Sequence, residues 1–155
     1  MKKRVELLYD AVRSPYDIAH IIQVALALDA KIYTAGNCIP FDNKKIINKI
    51  RSWNIEAMPI ITHYDTFEEA VKDLHEKGKV LIGTSGAATD DFYNHDYSAG
   101  NTVIVFGTET SGLTEYKQSL LDGLVKLPMK GCLDFLTLPV VTSAISYEVY
   151  RQMNQ

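Results

Sequence analysis

Apolar residues in this chain follow two alternating rhythms: short runs dense in β-branched and aromatic side chains, and longer stretches where they return every third or fourth position. Arg4–Tyr9, Lys31–Thr34, Pro59–Thr62, Lys79–Ile82, Val103–Phe106 and Leu124–Leu127 are of the first kind and are predicted strands. Ile18, Ile21, Ile22, Ala25 and Leu28 mark the buried face of a helix. Its start carries Ser14, Pro15 and Asp17: a capping hydroxyl, a proline in the first turn and an acid three residues on. Thr66-Phe67-Glu68-Glu69 opens a second helix with the same capping logic, and Gly78 stops it. Further helices are predicted over Phe41–Trp53, for a short distance from Thr114, and over Thr137–Met153. Ala87–Gly100 is polar and rich in turn formers, and the chain has no internal repeat.

Strands that alternate with helices predict an α/β fold with a mainly parallel sheet covered by helices on both faces. Ligands of such sheets bind beyond the carboxyl ends of the strands. Three of these ends run into glycine-bearing loops: Gly83-Thr84-Ser85-Gly86, Gly107-Thr108-Glu109-Thr110-Ser111-Gly112, and Pro128-Met129-Lys130-Gly131. The middle loop places a single carboxylate, Glu109, between two glycines that let backbone approach a ligand closely.

Composition narrows the class. With 155 residues, 46% of them hydrophobic, residues 1–155 are expected to form one domain with a core that needs no staples. Cys38 and Cys132 form neither a CxxC pair nor a metal-ligand spacing, which gives a zinc or disulfide scaffold little support and fits a reducing cytoplasm. No metal is expected. The opening MKKRVELLYDAV is too short and too interrupted by Glu6 and Asp10 for a signal peptide, and no segment reaches the length of a membrane span. A net charge of −3 gives no general attraction to a polyanion, so any nucleic-acid contact must be local. Lys44, Lys45, Lys49 and Arg51 are the first candidates for it and Lys2, Lys3 and Arg4 the second; a solvated helix face accounts for either group equally well.

The order FGTETSGL, then LPMKG, then a helix ending in ISYEVYRQMN is very similar to the second and third motifs of the SpoU/TrmH branch of the SPOUT methyltransferases. An ordered pair of such loops is more specific than a glycine loop alone. The resemblance implies S-adenosyl-L-methionine as cofactor and a ribose 2′-hydroxyl of tRNA or rRNA as acceptor. It also implies a C-terminal deep trefoil knot that holds the cofactor, and a homodimer built on the first and last helices. Carried over to this chain, the cofactor-binding residues are Gly83, Thr84, Gly107, Leu127, Met129, Gly131 and Phe135.

The chain departs from the family on the substrate side. The first motif, D-P-x-N-V-G-x-x-x-R, reads Ser14-Pro15-Tyr16-Asp17-Ile18-Ala19-His20-Ile21-Ile22-Gln23, so Asp17, Ala19 and Gln23 replace asparagine, glycine and arginine. The resemblance assigns that arginine to RNA phosphate or to activation of the hydroxyl, and a glutamine brings no charge to either task. The third motif's S-L-N-V-S reads Phe135-Leu136-Thr137-Leu138-Pro139 and keeps only the shifted hydroxyl of Thr137.

Methyl transfer needs the sulfonium methyl in line with the incoming oxygen, and an acceptor or positive charge for the hydroxyl proton. The catalytic candidates are Asp17, His20, Gln23, Glu109 and Thr137. His20 follows Asp17 by three, a spacing that allows an Asp-oriented imidazole; an interface histidine without catalytic duty is the plainer alternative. Glu109 either accepts backbone N–H groups of a facing loop or orients substrate, and the structural role is preferred. His63, His75 and His95 have no motif support. The expected function is an S-adenosylmethionine-dependent RNA 2′-O-ribose methyltransferase, with tRNA ahead of rRNA. The alternative is an inactive dimer of the same fold that binds cofactor or RNA in a regulatory role.

Overall fold

The computed structural model describes residues 3–109 and 111–155, which places Lys2 of the second basic group outside the described residues. The strands are β1 (Glu6–Asp10), β2 (Lys31–Ala35), β3 (Ile60–Tyr64), β4 (Val80–Thr84), β5 (Thr102–Phe106) and β6 (Gly123–Val125). The helices are α1 (Pro15–Leu28), α2 (Lys44–Arg51), α3 (Phe67–Glu76), α4 (Glu115–Ser119) and α5 (Leu138–Met153). All six strands run parallel in the order β3-β2-β1-β5-β4-β6.

Side chains alternate across the strands and so build two cores. Leu7, Tyr9, Ile32, Ile104 and Phe106 face α1, α2 and α5, while Leu8, Tyr33, Val103 and Val105 face α3 and the segment around Leu113. The near-continuous apolar reading of β1 and β5 follows from this: both are buried along their full length, as strands covered on both sides must be.

The predicted caps close as hydrogen bonds. Ser14 Oγ accepts from Asp17 N at 3.2 Å and Thr66 Oγ1 from Glu69 N at 3.1 Å. Helix α2 begins at Lys44, three residues later than the predicted Phe41. Asn43 caps it through Lys45 N at 2.9 Å, which leaves Phe41 to bury its ring in the core ahead of the helix. Strand β6 stops at Val125, short of the predicted Leu127, because the loop after β4 captures Lys126: its N–H donates to Asp90 O and its carbonyl accepts from Phe92 N. A single 3₁₀ turn, Phe92–Asn94, lies inside the stretch predicted as turns.

Helix α5 is fastened to the sheet by Ile145 and Val149 in the core and by a buried polar contact. Tyr9 stacks on Phe106 with ring centres 4.8 Å apart, and its hydroxyl shares a 2.8 Å hydrogen bond with Thr142 Oγ1. One turn further on, Ser146 is fully buried and its hydroxyl has no hydrogen-bond partner among the described residues. A buried donor without a partner costs stability that an alanine would recover. Ser146→Ala is therefore expected to stabilise the protein by about 1 kcal/mol, read as a higher urea midpoint at constant slope.

Candidate functional site

The carboxyl ends of β4, β5 and β6 converge on one cleft of about 1210 Å³. Its floor is Gly107, its rim carries Thr84, Glu109 and Ser111, and Leu127, Met129, Gly131, Phe135 and Leu136 wall it. Six of the seven residues assigned to the cofactor from sequence therefore share one cavity.

The loop after β5 explains why glycine is required there. Gly112 N donates to Thr108 O at 3.0 Å, folding the loop back onto the strand, and Gly112 adopts φ +64°, which a side chain would strain. The returning backbone crosses Gly107 so closely that a Cβ there would sit 2.1 Å from Gly112 C and 2.4 Å from Leu113 N. Gly83, expected at the cofactor, is instead buried under side chains. A Cβ would meet Leu121 Cδ1 at 2.6 Å, Leu124 Cδ2 at 3.0 Å and Leu113 Cδ1 at 3.1 Å, so its bareness serves leucine packing beneath the cleft and its neighbours Thr84, Ser85 and Gly86 line the cavity.

Glu109 ties this loop to the one after β1. One carboxylate oxygen accepts Arg13 N at 2.7 Å and Ser14 N at 2.8 Å, so the carboxylate caps the turn into α1. Asp17 sits one turn into that helix. Burial raises its carboxyl pKa above the usual range, the Glu109 charge adds to the rise, and His20 offsets part of it.

The expected Asp17–His20 pair does not form. His20 Nδ1 lies 2.9 Å from Tyr16 O, a carbonyl that can only accept, so Nδ1 donates there. The ring is wedged between Tyr16 and Trp53, at 4.3 Å and 4.8 Å between centres, because the aromatic groups of α1 and the end of α2 bury each other's faces. Gln23 is solvent-exposed two turns along α1, and neither it, Asp17 nor His20 lines the cleft. Thr137 caps α5 by position, makes no side-chain cap bond and lies outside the lining, between Leu136 and Leu138, which belong to it.

Two features escaped sequence reasoning. Arg13 lies beside Glu109 and sends its guanidinium to Asn37, 3.0 Å from the carbonyl and 2.9 Å from Oδ1; its place directly before the capping serine was the only available signal. His63 lines a separate cavity with Thr34 and Cys38, a meeting of two strand ends and the loop after β2 that no linear motif records. Among the described residues, no group of three His, Cys, Asp or Glu side chains could hold a metal ion, and no helix is long and apolar enough to cross a membrane.

Residues 4–147 match the model of the SpoU rRNA Methylase family. The 23S rRNA (guanosine-2'-O-)-methyltransferase RlmB of Photobacterium profundum is 29% identical over 150 residues, covering 94% of this chain and 59% of that protein. The RlmB of Ralstonia nicotianae is 27% identical over 146 residues, covering 94% and 58%. The chain thus spans just under three fifths of the length of these relatives. The SpoU methyltransferase AviRb from Streptomyces viridochromogenes superimposes with a TM-score of 0.85 at 26% identity, covering 99% of this chain and 61% of AviRb. Its complex with the cofactor AdoMet superimposes at 0.81 with 25% identity, covering 98% and 62%.

Proposed function

The chain belongs to the SpoU rRNA methylase family, and from that premise we propose that it binds S-adenosylmethionine in the cleft over Gly107 and methylates a ribose 2′-hydroxyl of RNA. The observation that carries this reading is the convergence of Thr84, Gly107, Leu127, Met129, Gly131 and Phe135 on one cavity. The residues fit the group: an apolar wall of Leu127, Met129, Phe135 and Leu136 facing a polar rim, with backbone close at hand, suits a nucleoside, and AviRb, which shares the fold, is known with AdoMet.

When bound, the cofactor supplies an electrophilic methyl group. The chain's own residues do the rest. Leu127, Met129 and Phe135 exclude water around the ligand, and bare Gly107 lets it approach the strand end. Glu109, on the cleft's rim, holds the turn into α1 that carries Asp17. Asp17, half-buried and with its pKa raised, is the proposed proton acceptor, because a carboxylate made more basic by burial takes a proton more readily. His20, with Nδ1 committed to Tyr16 O, is assigned to packing.

The finer parts of the reading rest on family membership. A trefoil knot through the last third is consistent with β6 pairing beside β4 and not beside β5. A homodimer is supported by the exposed apolar face that α1 and α5 present together, where Tyr16 is 63% exposed, Tyr147 51% and Val140 49%. A sedimentation run returning a monomer at working concentration would remove it. Among RNAs we keep tRNA as the proposed substrate, with 23S rRNA, named for the RlmB relatives, as the competing arm.

Titration calorimetry with S-adenosylmethionine and S-adenosylhomocysteine is the first test, and saturable heat is expected; none at millimolar ligand sinks the reading. Radiolabelled methyl transfer to tRNA and rRNA follows, with alkali-resistant dinucleotides as the signature of 2′-O-methylation. The exposed Gln23 in place of the family's arginine favours a second reading, a binding protein without turnover. Cofactor binding without incorporation into either pool would establish it.

A further inference from the structure

A second cavity, of about 450 Å³, opens at the carboxyl ends of β2 and β3, on the same rim of the sheet as the cleft. Ile39, Phe41, Met58 and Ile61 wall it. Its polar floor is Thr34, only 4% exposed, whose hydroxyl lies 2.8 Å from His63 Nδ1. Apolar walls around one donor–acceptor pair suit a planar heteroaromatic ring such as a nucleobase.

The surroundings supply positive charge. Lys44 and Lys45 open α2 just past the lining residue Asp42 and the capping Asn43, both are exposed, and among the described residues neither has an ion-pair partner. Arg13 bridges the two cavities. Its backbone N–H is held by Glu109 of the cleft, and its guanidinium holds Asn37, the residue before the cavity wall Cys38. A track of three cations, Arg13, Lys44 and Lys45, therefore runs along the strand ends from β1 to β2, with the carboxylates of Glu109 at one end and Asp42 at the other. On a chain of net charge −3, such a track is where phosphates find compensation.

Taking the chain to methylate RNA as above, we propose that this cavity receives an unstacked nucleobase of single-stranded RNA next to the reacting nucleotide, with Arg13, Lys44 and Lys45 against the intervening phosphates. The base slides between Met58, Ile61 and Phe41, and the Thr34–His63 pair meets its polar edge. Anchoring a neighbouring base fixes the reacting ribose and supplies the register that the lost first-motif arginine no longer provides.

The test uses the full chain saturated with S-adenosylhomocysteine and fluorescein-labelled single-stranded RNA octamers of the four homopolymer compositions. Met58→Trp fills the cavity and is expected to weaken binding of the preferred octamer roughly tenfold. Lys44→Ala with Lys45→Ala is expected to flatten the salt dependence of log K by roughly 1.4. Both variants should keep wild-type cofactor affinity and melting temperature, and 4-thiouridine placed in the octamer should crosslink to the peptide carrying Phe41 or to that carrying His63. Unchanged RNA affinity in Met58→Trp with cofactor binding intact overturns the proposal, as does crosslinking confined to other segments. Binding of free nucleosides as tightly as octamers, indifferent to the lysine substitutions, would mark a small-molecule site and overturn it too. Failure of the methyltransferase reading shows separately, as absent cofactor heat or absent methyl incorporation while RNA affinity still responds to Met58→Trp.

Discussion

Gly107→Ala is expected to abolish measurable S-adenosylmethionine binding and to lower the melting temperature by about 6–12 °C. The added Cβ would stand 2.1 Å from Gly112 C and 2.5 Å from Gly112 O, contacts that no rotamer change relieves because both partners are backbone. Overpacking a closed site costs about 1–3 kcal/mol, and backbone on both sides puts this one at the upper end or beyond. For a chain of this size each kcal/mol moves the midpoint by about 2–4 °C. The loop must lift from the strand end, and lifting it takes Ser111, Gly112 and Leu113 away from the cleft they line. Gly131→Ala is the control. It occupies the same cavity, but a Cβ there meets nothing within 4 Å, so its melting temperature should match wild type. Equal stability in the two variants would show that the close crossing at Gly107 is not what shapes the loop.

Glu109→Ala is expected to cost about 1–2 kcal/mol and at least tenfold in kcat/KM, while Glu109→Gln recovers most of both. The alanine variant leaves Arg13 N and Ser14 N to solvent, which loosens the turn into α1 and with it the position of Asp17. Glutamine still offers an oxygen to the same two donors. The pair of variants separates two roles: recovery of stability and turnover together means that the carboxylate acts on the fold. Recovery of stability alone would mean that its charge acts on the substrate, contrary to the reading preferred here. Thermal melts and single-turnover methyl transfer supply the two axes.

Much of the architecture was written locally. The strand and helix order emerged from the pattern of apolar residues, since β1 and β5 carry the short runs Leu7–Tyr9 and Val103–Phe106 and α1 repeats its apolar residues at helical spacing. The caps at Ser14 and Thr66 could be named beforehand because a hydroxyl and an acid three residues apart satisfy the same orphan N–H groups wherever they occur. The errors also have local causes. Periodicity extends helix α2 back to Phe41 because an apolar residue in phase cannot reveal that it packs ahead of an asparagine cap. The apolar run extends strand β6 to Leu127 because nothing in its residues says that Asp90 and Phe92 capture Lys126.

The two glycines at strand ends carry the sharper lesson. Gly83 and Gly107 read alike in sequence, yet the first is bare to admit Leu113, Leu121 and Leu124, and the second to admit the backbone of its own loop. Which neighbour fills the space of an absent side chain is a question of chain crossing, and crossing has no local signature.

The amino-acid order by itself determined the parallel α/β class, the element sequence and the family motifs, because periodicity, capping and short loops act within a few residues. Only the tertiary structure decided that Glu109 closes on Arg13 and Ser14, that His20 turns to Tyr16 and Trp53 and away from Asp17, and that Thr34 and His63 floor a second cavity. Each of these contacts joins segments, or chooses between partners, that local propensity leaves equally free, and packing the two faces of one sheet is what removes the choice.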